Sequence, residues 1–268
     1  MKIRKATQKD YASINKRFWE KIVKEKCVFT KPWLNLDVKV LQKLAKGKIK
    51  NPPEPLKDIF PISILSDIKG KNVLCLASGG GQQSVVFGLL GANVTVFDIT
   101  EGQLEGDRKA AAHYGYKVKT IQGNMSNLSM LKSNSFDLVY QAPSMTYIPN
   151  VKQVYLEVAR VLKKGGLYRA DAQNPLTAFD LIWNGKGYCI TIPYAIKSKQ
   201  RSKNEKVIEY RHYLNEIFNG LIESGFIIER VEEPPKGLYQ SKKDRSGSWE
   251  HSLSYAPGHF AILARKRG

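Results

Sequence analysis

Apolar residues along the chain follow two rhythms. Compact apolar runs at 72–76, 94–97, 136–140 and 167–171 are too short for helices and too continuous for half-exposed strands, so they read as strands buried on both faces of a parallel sheet. Between them, apolar positions recur at helical spacing over 84–90, 101–114 and 151–163, with Gly91, Gly115 and the Lys163-Lys164-Gly165-Gly166 run as stops. Alternation from Lys117 to Gln122 supplies another strand. A last helix, opened by Arg211-His212 and running over YLNEIFNGLIESG, precedes strands at 226–231 and 259–266. Strand and helix alternate throughout, which predicts an α/β fold.

Two regions lie outside this alternation. At the N-terminus, residues 7–26 place Tyr11, Ile14, Phe18, Trp19 and Ile22 on one helical stripe, and Asp37 can cap a second helix running to Lys46. The four-proline segment NPPEPLKDIFP then reads as an extended connector, followed by a short helix at ISILSDI. The other region, 172–211, is too long for an ordinary loop and reads as an inserted substrate cap. It holds Phe179, Trp183, Tyr188, Cys189 and Tyr194, and a basic tip of Lys197, Lys199, Arg201, Lys203 and Lys206. Alternation at 188–194 and 207–210 predicts a hairpin closed by that tip. Residues 232–257 form a polar loop that returns over the same sheet edge with Trp249, Glu250 and His251 together.

The chemistry concentrates at 72–100. A buried strand runs into Ala77, Ser78, Gly79, Gly80 and Gly81, where the near-absence of side chains lets a ligand lie against bare backbone amides. A helix and a second strand follow, ending on Asp98 about twenty residues beyond the glycines, the arrangement that binds an adenosine ribose through its hydroxyls. Phosphate readings are weaker. Ser84 fits loosely the third small position of a dinucleotide fingerprint, and Gln82-Gln83 stands where a triphosphate loop needs Lys and Ser or Thr.

These residues resemble the first two motifs of class I S-adenosylmethionine-dependent methyltransferases, on Val73, Leu74, Cys75, Leu76, Ala77, Gly79 and Gly81. Cys75 stands where the family has an acid that orients the methionine ammonium. Ala77 replaces its first glycine and is harmless with φ below zero. LCLASGGGQQ is similar to a variant branch of that family, and the likeness extends over residues 60–268. It implies a Rossmann-like seven-stranded, mostly parallel sheet with an antiparallel last strand and helices on both faces. Residues 1–60 would be an N-terminal helical lid and connector, unless their stripe is only packing, and 61–268 the methyltransferase domain. The implied cofactor is S-adenosyl-L-methionine, held by Ala77, Ser78, Gly79, Gly80, Gly81, Gln82, Asp98, Ile99, Gln103, Asn124, Met125 and Gln141. Backbone carbonyls or Gln82 would replace the missing acid, and the amide oxygen of Asn124 would accept from the adenine amine.

The loop 141–147 at the carboxyl end of the fourth strand would face the methyl group. It lacks the Asn/Asp-Pro-Pro-aromatic motif used on exocyclic amines, and NPLT at Asn174 reads as a turn. Where the acceptor needs a base, His251, with Glu250 and Trp249 beside it, stands slightly ahead of His212, and Tyr147 is a third candidate; His113 lies on a surface helix and His259 begins a strand. An aromatic cap and lid favour a small-molecule substrate. The net charge of +19 keeps RNA as an alternative acceptor, although the excess is Lys scattered among apolar residues, mostly before Gly70. A nucleoside-binding protein without transfer activity is the other alternative. Cys27, Cys75 and Cys189, without CxxC spacing, read as buried thiols, so no metal is expected. Neither a signal peptide nor a bilayer-spanning run is apparent, which gives the expectation of a cytoplasmic protein with no membrane partner and an oligomeric state left open.

Overall fold

The computed structural model describes residues 8–178, 181–200, 207–233 and 245–268. Helix α1 (Gln8–Lys24) carries the aromatic stripe, with Tyr11 only 2% exposed. Helix α2 (Val38–Ala45) starts at Asp37, whose carboxylate accepts from the amides of Lys39 and Val40. The proline connector is not merely extended: it makes a 3-10 turn at Leu56–Asp58 and sinks Leu56 and Ile59 into the core. A second 3-10 turn, Ile62–Leu65, leads to the sheet.

The nucleus follows as β1 (Asn72–Leu76), α3 (Gln83–Leu89), β2 (Asn93–Asp98), α4 (Glu101–Tyr114), β3 (Val118–Gln122), β4 (Phe136–Gln141), α5 (Val151–Val161) and β5 (Leu162–Gln173). Two short antiparallel ribbons come next. They are β6 (Leu181–Trp183) with β7 (Tyr188–Ile190), and β8 (Ser198–Gln200) with β9 (Ile208–Tyr210). Then come α6 (Leu214–Glu223), β10 (Phe226–Glu232), α7 (Trp249–Leu253) and β11 (His259–Lys266). The seven-stranded sheet has the order β10-β11-β5-β4-β1-β2-β3, parallel except for β11, which runs antiparallel to both neighbours. Strand order reverses between β1 and β4, so their carboxyl ends frame the crevice where such sheets bind ligands.

Two apolar layers sandwich the sheet. One unites α5, α6 and Tyr11 with Leu74, Leu76 and Val139; the other unites α2, α3 and the connector with Val73, Cys75 and Tyr140. The continuous apolar runs of β1 and β4 are explained by this double burial.

Four expectations need correction. Helix α5 stops at Val161, and Lys163 to Gly166 lies inside β5, where Gly165 takes φ 70° and the pairing with β4 slips between Phe136 and Leu138. Full burial of Leu162 pulls the chain directly from helix into sheet. The cap is not one hairpin of 188–194 with 207–210, because each segment pairs with a different neighbour. Arg211 and His212 precede α6 instead of opening it, since both are buried and the Arg211 guanidinium donates to the Pro193 carbonyl (2.8 Å). Cys75 is buried, whereas Cys27 and Cys189 are only half-buried. Phe179 and the tip residues Arg201, Lys203 and Lys206 lie outside the described residues. Among the described residues no helix is long and apolar enough to cross a membrane.

Candidate functional site

The turn after β1 is bent more sharply than its sequence suggests. Ala77 adopts φ 47°, in the left-handed region, so it is not the unstrained substitute expected from a negative φ. Its amide donates to the Phe97 carbonyl (2.8 Å), which fixes that geometry. Gly80 and Gly81 follow with φ of 108° and 75°. A Cβ on Gly81 would stand 2.5 Å from the Gly106 carbonyl oxygen, and one on Gly79 2.5 Å from Gln103 Cβ. The turn therefore packs backbone to backbone on α4.

Its amides are not bare. Gly79 N–H donates to Asp98 Oδ2 (3.1 Å), Gly80 N–H to Asp107 Oδ2 (3.0 Å) and Gly81 N–H to Asp107 Oδ1 (3.1 Å). Sequence reasoning missed Asp107. Its signal was an acid on the same helical face as Leu104, Ala110 and Ala111, all buried.

Asp98 closes β2 with its other oxygen accepting from the Thr100 amide (2.9 Å), and burial pushes its pKa up. Beside it, Gln103 Oε1 is buried with no hydrogen-bond partner, 3.0 Å from where a Gly80 Cβ would sit. A buried carboxylate and an unpartnered acceptor next to a side-chain-free turn fit a ribose diol, which needs two acceptors. Ile99 gives its carbonyl to Gln122 Nε2 (3.1 Å). Asn124 Oδ1 accepts from the Ser126 amide (2.9 Å) and keeps a second lone pair.

Gln82 ties the turn to the N-terminal segment. Its Nε2 donates to the carbonyls of Val28 (2.9 Å) and Lys31 (3.1 Å), while Trp33 N–H donates to the Gly81 carbonyl (3.0 Å). These bonds hold residues 28–33 across the turn. Helix α1 lies on the first turn of α4, where the Glu101 amide donates to Glu20 Oε1 (3.2 Å).

In the loop after β4, Gln141 is fully buried. Its amide is taken up by Ser144 Oγ (2.9 Å), Met125 Sδ (3.4 Å) and the Tyr168 hydroxyl, so it shapes the loop. Ser78 Oγ accepts from the Ala142 amide (3.1 Å) and ties the glycine turn to that loop. Tyr147 stacks edge-on against Trp19 with ring centroids 5.6 Å apart. His212 lies buried beneath the same loop, its Nε2 3.0 Å from the Met145 carbonyl, and burial pushes its pKa down. It lines a narrow cavity with Thr146, Gln173, Ala178 and Tyr210. His251 is elsewhere, on α7 against the cap: Nδ1 is 2.7 Å from the Tyr188 hydroxyl, and its ring packs against Trp183 and Tyr255. The two histidines belong to separate clusters.

A polar group at the ends of β5 and β11 was also missed. Asp171 pairs with Arg169, yet its Oδ1 has no hydrogen-bond partner and lies 3.7 Å from His259 Nε2. Gln173 Oε1, two residues further along and on the same side of β5, is likewise unpartnered. Both come from strand ends, where alternation alone does not say which side chains reach the crevice.

Comparison with known proteins adds four findings. A family model described as a methyltransferase domain matches residues 74–170. The chain is 34% identical over 235 residues to the uncharacterized methyltransferase YbaJ of Bacillus subtilis, covering 84% of this chain and 91% of that one. It is 31% identical over 118 residues to a ubiquinone biosynthesis O-methyltransferase of Dechloromonas aromatica, spanning 51% of that relative. Among solved structures, an S-adenosylmethionine dependent methyltransferase from Mesorhizobium loti superposes with a TM-score of 0.65 at 21% identity, over 84% of this chain and all of that one.

Proposed function

The chain belongs to the class I S-adenosylmethionine-dependent methyltransferases, and from that premise we propose that it methylates a small-molecule acceptor enclosed between α1, the loop after β4 and the inserted ribbons. One residue carries this reading. Asn15, 3% exposed, donates from Nδ2 to the carbonyls of Tyr147 (3.1 Å) and Ile208 (3.0 Å), and its Oδ1 accepts from the Ile208 amide (2.8 Å). It thereby staples the N-terminal helix to both the acceptor loop and the cap. A roof of that kind suits a ligand that is swallowed, whereas a polynucleotide needs an open track.

Bound S-adenosylmethionine supplies a sulfonium-activated methyl group. The chain's part is to grip, align and keep water out. Asp98 and Gln103 take the ribose hydroxyls. The unpartnered oxygens of Asp171 and Gln173 take hydroxyl or amine hydrogens of the acceptor, and His259, beside Asp171, is the group at that edge able to receive a proton. His212, buried and neutral, holds the loop in place, and His251 holds the cap. The O-methylating relative is consistent with an oxygen acceptor.

The experiment is label transfer. Purified protein with isotopic methyl on the cofactor is incubated with a cell's small-metabolite fraction and, separately, with its total RNA. Label in an extractable small molecule supports the reading. Label in RNA alone, with RNA affinity falling steeply as salt rises, replaces it with the nucleic-acid alternative.

A further inference from the structure

Asp107 sits in the middle of α4, fully buried, under the cofactor turn. Three donors converge on it: Gly80 N–H on Oδ2, and Gly81 N–H and the Ser84 hydroxyl on Oδ1. The approach is possible because glycines meet. A Cβ on Gly106 would lie 2.9 Å from the Gly80 carbonyl carbon, so α4 can come no closer and needs this contact to place Asp107. The titratable groups around it are Cys75 from β1, Asp98 from β2 and Tyr116 beyond α4, whose hydroxyl is 3.5 Å from Ser84 Oγ. None is a cation. Burial pushes Cys75 and Tyr116 up, so both stay neutral at ordinary pH.

We propose that Asp107 is the positioning residue of the cofactor site, holding Gly80 and Gly81 in the shape that receives S-adenosylmethionine, where β1 offers only a neutral thiol at Cys75. The ionised carboxylate accepts from all three donors. Once protonated, the carboxyl loses its charge and one oxygen turns donor, toward Ser84 Oγ, so its hold on the two glycine amides weakens. Burial raises this carboxyl to about 7, with Ser84 and the two glycine amides pulling it back, so the two states exchange in the neutral range. The cofactor selects the ionised state, and its affinity therefore rises with pH.

The test is calorimetric titration of the whole protein with S-adenosylhomocysteine from pH 5.5 to 8, a range in which the ligand stays essentially zwitterionic with a neutral adenine. Binding is independent of the acceptor, so failure here is separable from failure of the small-molecule reading. Wild type should bind roughly tenfold more weakly at pH 6 than at pH 8. Asp107→Asn should bind at least tenfold more weakly at pH 8 and lose the pH dependence. Ser84→Ala, a milder change, removes one donor to the carboxylate and should move the midpoint upward. A flat wild-type profile overturns the proposal, and so does an Asp107→Asn protein with the wild-type profile, which would assign the titration to Asp98. Should Asp107→Asn give no cooperative melt, Ser84→Ala decides: an unmoved midpoint overturns the proposal and a raised one supports it.

Discussion

Ala77 and Asp107 illustrate two kinds of cost accepted at the cofactor turn. Ala77 stands in a left-handed conformation that its Cβ disfavours, so a β-branched side chain there is worse. Ala77→Val should lower stability by about 1–3 kcal/mol, read as a lower urea midpoint with unchanged slope. Asp107 carries an electrostatic cost. Its folded-state pKa is raised from 3.8 to about 7, so the native state holds a proton that the unfolded chain has released. Its contribution to stability is complete below about pH 4, declines as pH rises toward 7, and is flat above. Relative to Asp107→Asn, wild-type protein without ligand should thus lose stability between pH 4 and 7 in urea melts, while gaining cofactor affinity over the upper part of that window. A stability difference independent of pH would show that Asp107 does not titrate there. From sequence, the departure at Cys75 was visible but its counterpart was not, because residues 80 and 107 meet only through tertiary packing of α4. The same holds for Gln82, whose Nε2 donates to the carbonyls of Val28 and Lys31, partners that no local spacing indicates.

At the scale of elements, strongly periodic segments were legible to within a residue or two, from β1 through β4 and again at β11. The sheet order was legible as well, because alternating strands and helices admit few connections. Where boundaries failed, a competing preference won. The Lys163-Lys164-Gly165-Gly166 run looks like a helix stop, yet burial of Leu162 and the freedom of Gly165 turn it into the start of a bulged strand. In the cap, apolar alternation identified strand-forming segments but not their partners, since three-residue ribbons carry little register information. Asn15 is the element-scale link with the clearest consequence. Asn15→Ala would remove three buried hydrogen bonds, one to Tyr147 and two to Ile208, at a cost of about 1–3 kcal/mol. Hydrogen exchange should accelerate at Ile208 and along α1 before it does in β1 or β4. Uniform acceleration would mean that α1 is not a separately stapled roof.

For the molecule as a whole, doubly buried β1 and β4 form the fixed frame, and the ligand crevice opens at the switch between them. At that edge α1 is tied to the loop after β4 and residues 28–33 to the glycine turn, the bonds on which the proposal of an enclosed acceptor rests. The net charge of +19 says nothing about this arrangement; it marks a solvated, lysine-rich surface whose role is read from salt dependence. Cofactor binding should stabilise the fold by mass action, raising the melting temperature with ligand concentration. The most direct measurement is the affinity for S-adenosylmethionine and its demethylated product in wild type and in Asp98→Ala. The account predicts saturable binding of both by the wild type, weakened in the variant by roughly 1.5–3 kcal/mol because charge-assisted bonds to the ribose are lost. Equal affinity in the two proteins, or a wild type that responds to NAD or ATP but not to S-adenosylmethionine, would contradict it.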